Sequence, residues 1–182
     1  MFHVKPNHPQ NGWVQIRQAR RDDLTNLQDI ERAAGEAFRE LGMPEVADDE
    51  PPTVEELTAY LDAGTAWVMT VDDEVAAYLI AEPIDGNLHI EQVSVHPTHA
   101  GKRLGRQLIE HAATEARTNG MPALTLTTFR DVPWNAPYYE RCGFHIIPDD
   151  ELTPGLAAKR QQEADHGLDR WPRVGMRRAT IS

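Results

Sequence analysis

The stretch that most constrains this chain runs from Val93 to Arg106 and reads Val-Ser-Val-His-Pro-Thr-His-Ala-Gly-Lys-Arg-Leu-Gly-Arg. An extended run ends at Pro97, a short loop follows, and a helical period begins near Arg103. A helix that starts this way presents unpaired N–H groups and the positive end of its dipole. Gly101 and Gly105 permit positive φ or a close backbone approach. Lys102, Arg103 and Arg106 add positive charge in a chain whose formal net charge is −11. Together these features describe a pyrophosphate cradle. An ordinary β–α turn with solvated basic residues would draw on the same residue types. The segment lacks Gly-Lys-Ser/Thr and Gly-x-Gly-x-x-Gly, which disfavours a Walker loop and a dinucleotide fold.

The hydrophobic period places this segment in an alternation of strands and helices. Residues 1–12 have no apolar period and read as an N-terminal arm. Residues 13–17 read as a strand. Leu24, Leu27, Ile30, Ala34, Phe38 and Leu41 make one helical face that Gly35 divides. Residues 42–52 read as a polar loop. Thr53-Val54-Glu55-Glu56 is a capping box that starts a second helix, which ends near Gly64. Strands are expected at 66–71 and 75–81, joined by a turn at Asp72-Asp73-Glu74, and at 88–95. The long helix that begins near Arg103 is stopped by Gly120 and Pro122. Beyond it come a strand at 124–129, a short helix at 133–141, a strand at 144–147, a weakly hydrophobic helix at 151–167 and a last strand at 173–181. With 182 residues and no repeat or linker, the expectation is a single α/β domain over 13–182.

A second constellation follows the long helix: Trp134-Asn135-Ala136-Pro137-Tyr138-Tyr139-Glu140-Arg141-Cys142-Gly143-Phe144. The two segments, in this order and separated by a strand, resemble motifs A and B of the GNAT acetyltransferases. Motif A reads Gln/Arg-x-x-Gly-x-Gly/Ala in that family. Here Ala100 stands at the Gln/Arg position and Arg103 at the first glycine. In motif B an Asn precedes a helix that ends in Tyr-Glu-x-x-Gly-Phe. The resemblance implies a central, mostly antiparallel mixed sheet with a splayed parallel strand pair, flanked by helices. It implies acetyl-CoA as co-substrate, with Val93, Ser94 and Val95 along its pantetheine arm, Asn135 on the arm's other side, and Ala100, Gly101, Lys102, Arg103, Leu104, Gly105 and Arg106 at its pyrophosphate. A homodimer is expected by family habit.

Acetyl transfer to an amine needs a neutral nucleophile, a stabilised oxyanion and a protonated leaving thiol. A primary alkylamine has a pKa near ~10.4, so about one molecule in a thousand is neutral at pH 7. Glu91 is the candidate base, because strand period 2 puts it on the face of Val93 and Val95. The resemblance favours a glutamate here as well. A backbone N–H near Val93 suits the oxyanion. Tyr139, placed by Tyr-Glu-x-x-Gly-Phe, is the candidate acid for the thiol. Cys142 reads as a packed thiol, and no metal is expected at His96 and His99, which lack partner ligands.

The acidic balance disfavours nucleic acid and favours cationic partners. Glu45, Asp48, Asp49, Glu50, Glu55 and Glu56 fall within twelve residues that contain no basic side chain. Such a segment, with Glu91, suits a small-molecule diamine or polyamine acceptor of the putrescine, cadaverine or spermidine type. An aminoglycoside satisfies the same charge rule. An amino acid would want an arginine such as Arg39 or Arg130, and a protein amine stays open. A catalytically silent acyl-CoA-binding module is the rival class. The single cysteine fits a reducing compartment, and the start of the chain has no apolar targeting run. A cytoplasmic protein without membrane contact is the expectation.

Overall fold

Two aspartates reverse the chain where the sequence places a hairpin: Asp72 and Asp73 adopt φ of 51° and 68°. Positive φ at both central positions is the two-residue turn that matches strand twist. Asp85 and Gly86 repeat it, at 53° and 82°. The computed structural model describes residues 13–180, so the predicted arm and Ile181 lie outside the described residues. The strands are β1 (Val14–Gln18), β2 (Ala66–Val71), β3 (Glu74–Ile84), β4 (Asn87–Val95), β5 (Ala123–Phe129), β6 (His145–Ile147) and β7 (Arg173–Ala179). They form one seven-stranded sheet in the order β1-β2-β3-β4-β5-β7-β6. The pair β4–β5 is parallel, and the expected mixed sheet is borne out.

By internal packing the chain forms two compact units. The first takes the described residues up to Tyr78 together with Ser94–Leu108. In it β1 pairs antiparallel with β2, from Val14↔Val71 to Gln18↔Trp67. Helix α1 (Leu24–Gly35) buries Leu24, Leu27 and Ile30, the first half of the stripe read from the sequence, while Ala34 and Phe38 are half-buried and Leu41 is exposed. Gly35 ends the α-helical part, and Glu36–Leu41 continues as a 3-10 helix. The polar loop expected at 42–52 contains a short helix, α2 (Pro44–Ala47). Pro44 explains it, since a proline is pre-organised for the first helical turn. Thr53 caps α3 (Val54–Asp62) by accepting from the Glu56 N–H at 3.1 Å, and Leu57 is fully buried beneath.

The second unit takes Leu79–Val93 and the described residues from Ile109 on. β5 pairs antiparallel with β7 from Ala123↔Ala179 to Phe129↔Arg173, and β7 pairs with β6 from His145↔Arg177 to Ile147↔Gly175. Helix α5 (Ala136–Arg141) precedes β6, and α6 (Pro154–Asp165) lies between β6 and β7 in the chain.

The long helix α4 (Leu104–Thr118) ends as the sequence predicts. Gly120 takes φ of 73°, its N–H donates to Arg117 O, and the Met121 N–H donates to Ala116 O at 2.8 Å. This is a Schellman cap. A Cβ on Gly120 would meet nothing within 4 Å, so only backbone strain opposes a side chain there. Gly120→Ala is expected to lower stability by about 1 kcal/mol in urea unfolding. A stability equal to the parent's would contradict this account of the helix end.

Candidate active site

The site residues fall into local clusters, each built by its own stretch of chain. In the first unit, His96 N–H donates to Ala76 O on β3 at 2.9 Å. Amides alternate between the two edges of a strand, so that of Ser94 faces β3 and those of Val93 and Val95 leave by the other edge. That edge is the one next to β5. The parallel ladder there holds two rungs, Leu88↔Leu124 and His89↔Thr125, and stops. β4 itself runs on to Val95, and the short parallel ladder is that of the splayed pair expected from the sequence.

The loop after β4 is shaped by two left-handed residues. Gly101 has φ of 79°, and Arg103, the residue before the first turn of α4, has φ of 58°. Arg103 thus takes the conformation that a glycine gives freely, at the position where motif A has one. Ala100, Gly101, Lys102, Arg103 and Arg106 are exposed, whereas Leu104 and Gly105 are buried in the first turn of the helix. Gly105 is helical and does not have positive φ. His96 closes the loop locally: its Nδ1 accepts from the Thr98 N–H at 3.2 Å. His99 Nδ1 lies 3.1 Å from Lys102 Nζ. Among the described residues no group of three His, Cys, Asp or Glu is arranged to hold a metal.

Ser94 reveals a carboxylate that the sequence reading did not single out. Its hydroxyl donates to Glu31 Oε2 at 2.7 Å, and Tyr78 donates to the same oxygen at 2.8 Å. Burial pushes the Glu31 carboxyl above the ordinary carboxylate range, against the two hydroxyl donors, and the charge of Asp49 adds to the rise. The available signal was positional, since Glu31 follows Leu24 and Leu27 at helical spacing on the buried face of α1. In the acidic segment Glu45, Asp48, Asp49 and Glu50 are all exposed. Asp48 is bound by Arg39, which also holds Glu36. Arg130 is likewise engaged, by Asp131. Neither arginine therefore stands as an open carboxylate anchor.

In the second unit, Glu91 lies inside a charged network. Its Oε2 is 2.9 Å from Lys159 Nζ on α6, and the same ammonium is 3.0 Å from Glu82 on β3. His89, fully buried two residues before Glu91, bonds Thr125 Oγ1 through Nδ1 at 2.9 Å and sets Nε2 3.7 Å from Glu91. Burial first, and then the Lys159 charge, push the His89 imidazole down to about 4, so it is neutral at pH 7. The two carboxylates hold the Lys159 ammonium charged, against its partial burial.

Motif B has a simple physical origin. Gly143 takes φ of 93°, its N–H donates to Glu140 O, and the Phe144 N–H donates to Tyr139 O. Tyr-Glu-x-x-Gly-Phe is thus a Schellman cap, completed by the edge-on contact of Tyr139 and Phe144 at 5.9 Å. The cap fixes Tyr139, which is buried, and Asn135, half-buried, starts the helix. Cys142 is a buried free thiol.

These local shapes fit the co-substrate that the sequence resemblance implies. An open strand edge can pair with an amide-bearing arm, and a turn of left-handed residues before a helix can cradle an anion. The acetyltransferase (GNAT) family profile matches residues 24–144. Three solved structures show the same fold. An N-acetylglutamate synthase of Neisseria gonorrhoeae, solved with coenzyme A and N-acetyl-glutamate, aligns at TM-score 0.68 and 16% identity over 95% of this chain. This chain spans 36% of that protein's length. A PaiA N-acetyltransferase of Thermoplasma acidophilum, solved with coenzyme A, aligns at 0.64 and 14% identity, covering 92% of this chain and 99% of its own. The ribosomal-protein-S18-alanine N-acetyltransferase of Escherichia coli aligns at 0.64 and 17% identity, covering 93% and 96%.

The strained Arg103 gives a direct check of the loop geometry. Arg103→Gly is expected to raise stability by about 0.5–1 kcal/mol in urea unfolding, since relief of the left-handed strain exceeds the added chain entropy. A variant less stable than the parent would contradict the assigned conformation.

Proposed function

Because the chain belongs to the GNAT acetyltransferase family, whose co-substrate is acetyl-CoA, we propose that it acetylates the primary amine of a small cation by direct transfer in a ternary complex. A diamine or polyamine is the favoured acceptor. The observation that carries the reading is the two-rung β4–β5 ladder, beyond which the Val93 and Val95 amides face away from β3. These amides hold the pantetheine arm, with Asn135 as a further contact. The backbone N–H groups from Ala100 to Gly105 hold the pyrophosphate, and Lys102, Arg103 and Arg106 add charge.

Bound acetyl-CoA supplies the thioester. Glu91 takes a proton from the acceptor's ammonium, through water, and leaves a neutral nucleophile. A backbone N–H near Val93 is the oxyanion donor. Tyr139 donates its phenolic proton to the departing sulfur. Holding the two reactants together supplies much of the remaining acceleration.

The acceptor class rests on charge. The net charge of −11 and the exposed carboxylates at Glu45, Asp49 and Glu50 favour cations. The engagement of Arg39 and Arg130 by neighbouring carboxylates speaks against an amino-acid acceptor held through its carboxylate. A homodimer in a reducing cytoplasm, without nucleic-acid partners, completes the proposal. No described helix is long and apolar enough to cross a membrane, and the cysteine is unpaired.

Release of free CoA against diamines, polyamines, aminoglycosides, amino acids and a lysine peptide tests the reading. Turnover is expected with diamines or polyamines, and turnover confined to another class would overturn the acceptor assignment. Tyr139→Phe is expected to lower kcat at least ten-fold with little change in acetyl-CoA affinity, within the ~10²–10⁴ range of general acid–base effects or just below it. An unchanged kcat would remove Tyr139 from the mechanism.

A further inference from the structure

Helix α6 is tied down at both ends. Asp85 accepts from the Gly155 N–H at 2.8 Å. One helical turn after Lys159, Glu163 accepts from Thr127 at 2.9 Å and pairs with Arg173 at 3.0 Å. Leu156, on the same face, is fully buried. With spacing of three and four residues, Leu156, Lys159 and Glu163 form one stripe. The tethers therefore hold the Lys159 ammonium over Glu82 and Glu91 rather than letting it swing in solvent.

The charge at this point is unbalanced. Two carboxylates face one ammonium, His89 is neutral, and Glu163 is already paired with Arg173. One negative charge is left over. The side chains of Lys159, Glu91 and Glu82 keep 21%, 33% and 36% of their exposure, so a dissolved cation can reach the carboxylates. The Lys159 head group is a primary alkylammonium, the chemical class that the acceptor itself presents.

We propose that Lys159 is a specificity-determining residue, a resident competitor for the acceptor's ammonium at Glu82 and Glu91. This rests on the reading of Glu91 as the residue that meets the acceptor. An incoming amine must share or displace a cation that the fold has already placed, so an amine with no other contact binds poorly. A second contact elsewhere, as a second ammonium can make, is what lets an acceptor win the exchange. The competition is modest because these are partly exposed ion pairs, worth up to about 1 kcal/mol, or about a five-fold change in affinity. It weakens as salt rises.

Calorimetric titration of the full chain with 1,4-diaminobutane tests the proposal. Lys159→Met and Lys159→Gln are expected to bind it about five-fold tighter than the parent at low salt, and Lys159→Arg to bind like the parent. Binding by the Met and Gln variants that is equal to or weaker than the parent's overturns the proposal, as does the absence of measurable binding in every form. Gln keeps a polar head group on the side chain, so a fold lost only in Lys159→Met leaves the comparison intact. Turnover of Glu91→Gln is followed separately. Parent-like turnover there removes the base assignment, and the competition at the carboxylates is still decided by the titration.

Discussion

The structure turns on where the β4–β5 ladder stops. Two parallel rungs, at Leu88↔Leu124 and His89↔Thr125, join the strands, and the buried His89–Thr125 hydrogen bond lies on the second. Past this point β4 keeps its direction because its other edge is bonded to β3, as the His96–Ala76 bond shows at its far end. A strand bonded on one edge and open on the other has amides to offer. Two conditions thus create the open edge: a short parallel ladder and a strand that outruns it. A buried neutral histidine suits the point where the ladder ends. A charged imidazole there would carry the full cost of burial, with the Lys159 ammonium adding to it.

Much of this was legible because local chemistry decides it. Gly120 and Gly143 each end a helix by the same cap, and both are readable as a glycine after a periodic run. Motif B is therefore in the first place a helix cap. The cap fixes the backbone around Tyr139, and Phe144 packs on the ring. The departure at Arg103 was also visible in the sequence. Its outcome was not, since the residue could have changed the loop or accepted the strain, and it takes the left-handed conformation at φ 58°.

Glu31 and Lys159 were hidden for a different reason. Each sits at an apolar-stripe position of a helix, and its meaning depends on strands far away in the chain. Glu31 meets Tyr78 and Ser94, 47 and 63 residues distant. Lys159 meets Glu82 and Glu91 from a helix whose weak hydrophobicity gave its orientation little pattern. A polar residue on a buried stripe can only be satisfied by a tertiary partner, and sequence spacing cannot name one. The short helix α2 was missed on a smaller scale, because Pro44 can begin a helix as easily as it can end a loop.

Under the proposed function the β4 edge holds the co-substrate, and backbone amide exchange reads that contact residue by residue. Exchange at Val93, Ser94 and Val95 is followed with and without coenzyme A. Val93 and Val95 should become strongly protected when coenzyme A is added. Ser94, whose amide faces β3, should be protected in both states. Unchanged exchange at Val93 and Val95, under conditions where coenzyme A is bound, would contradict the account.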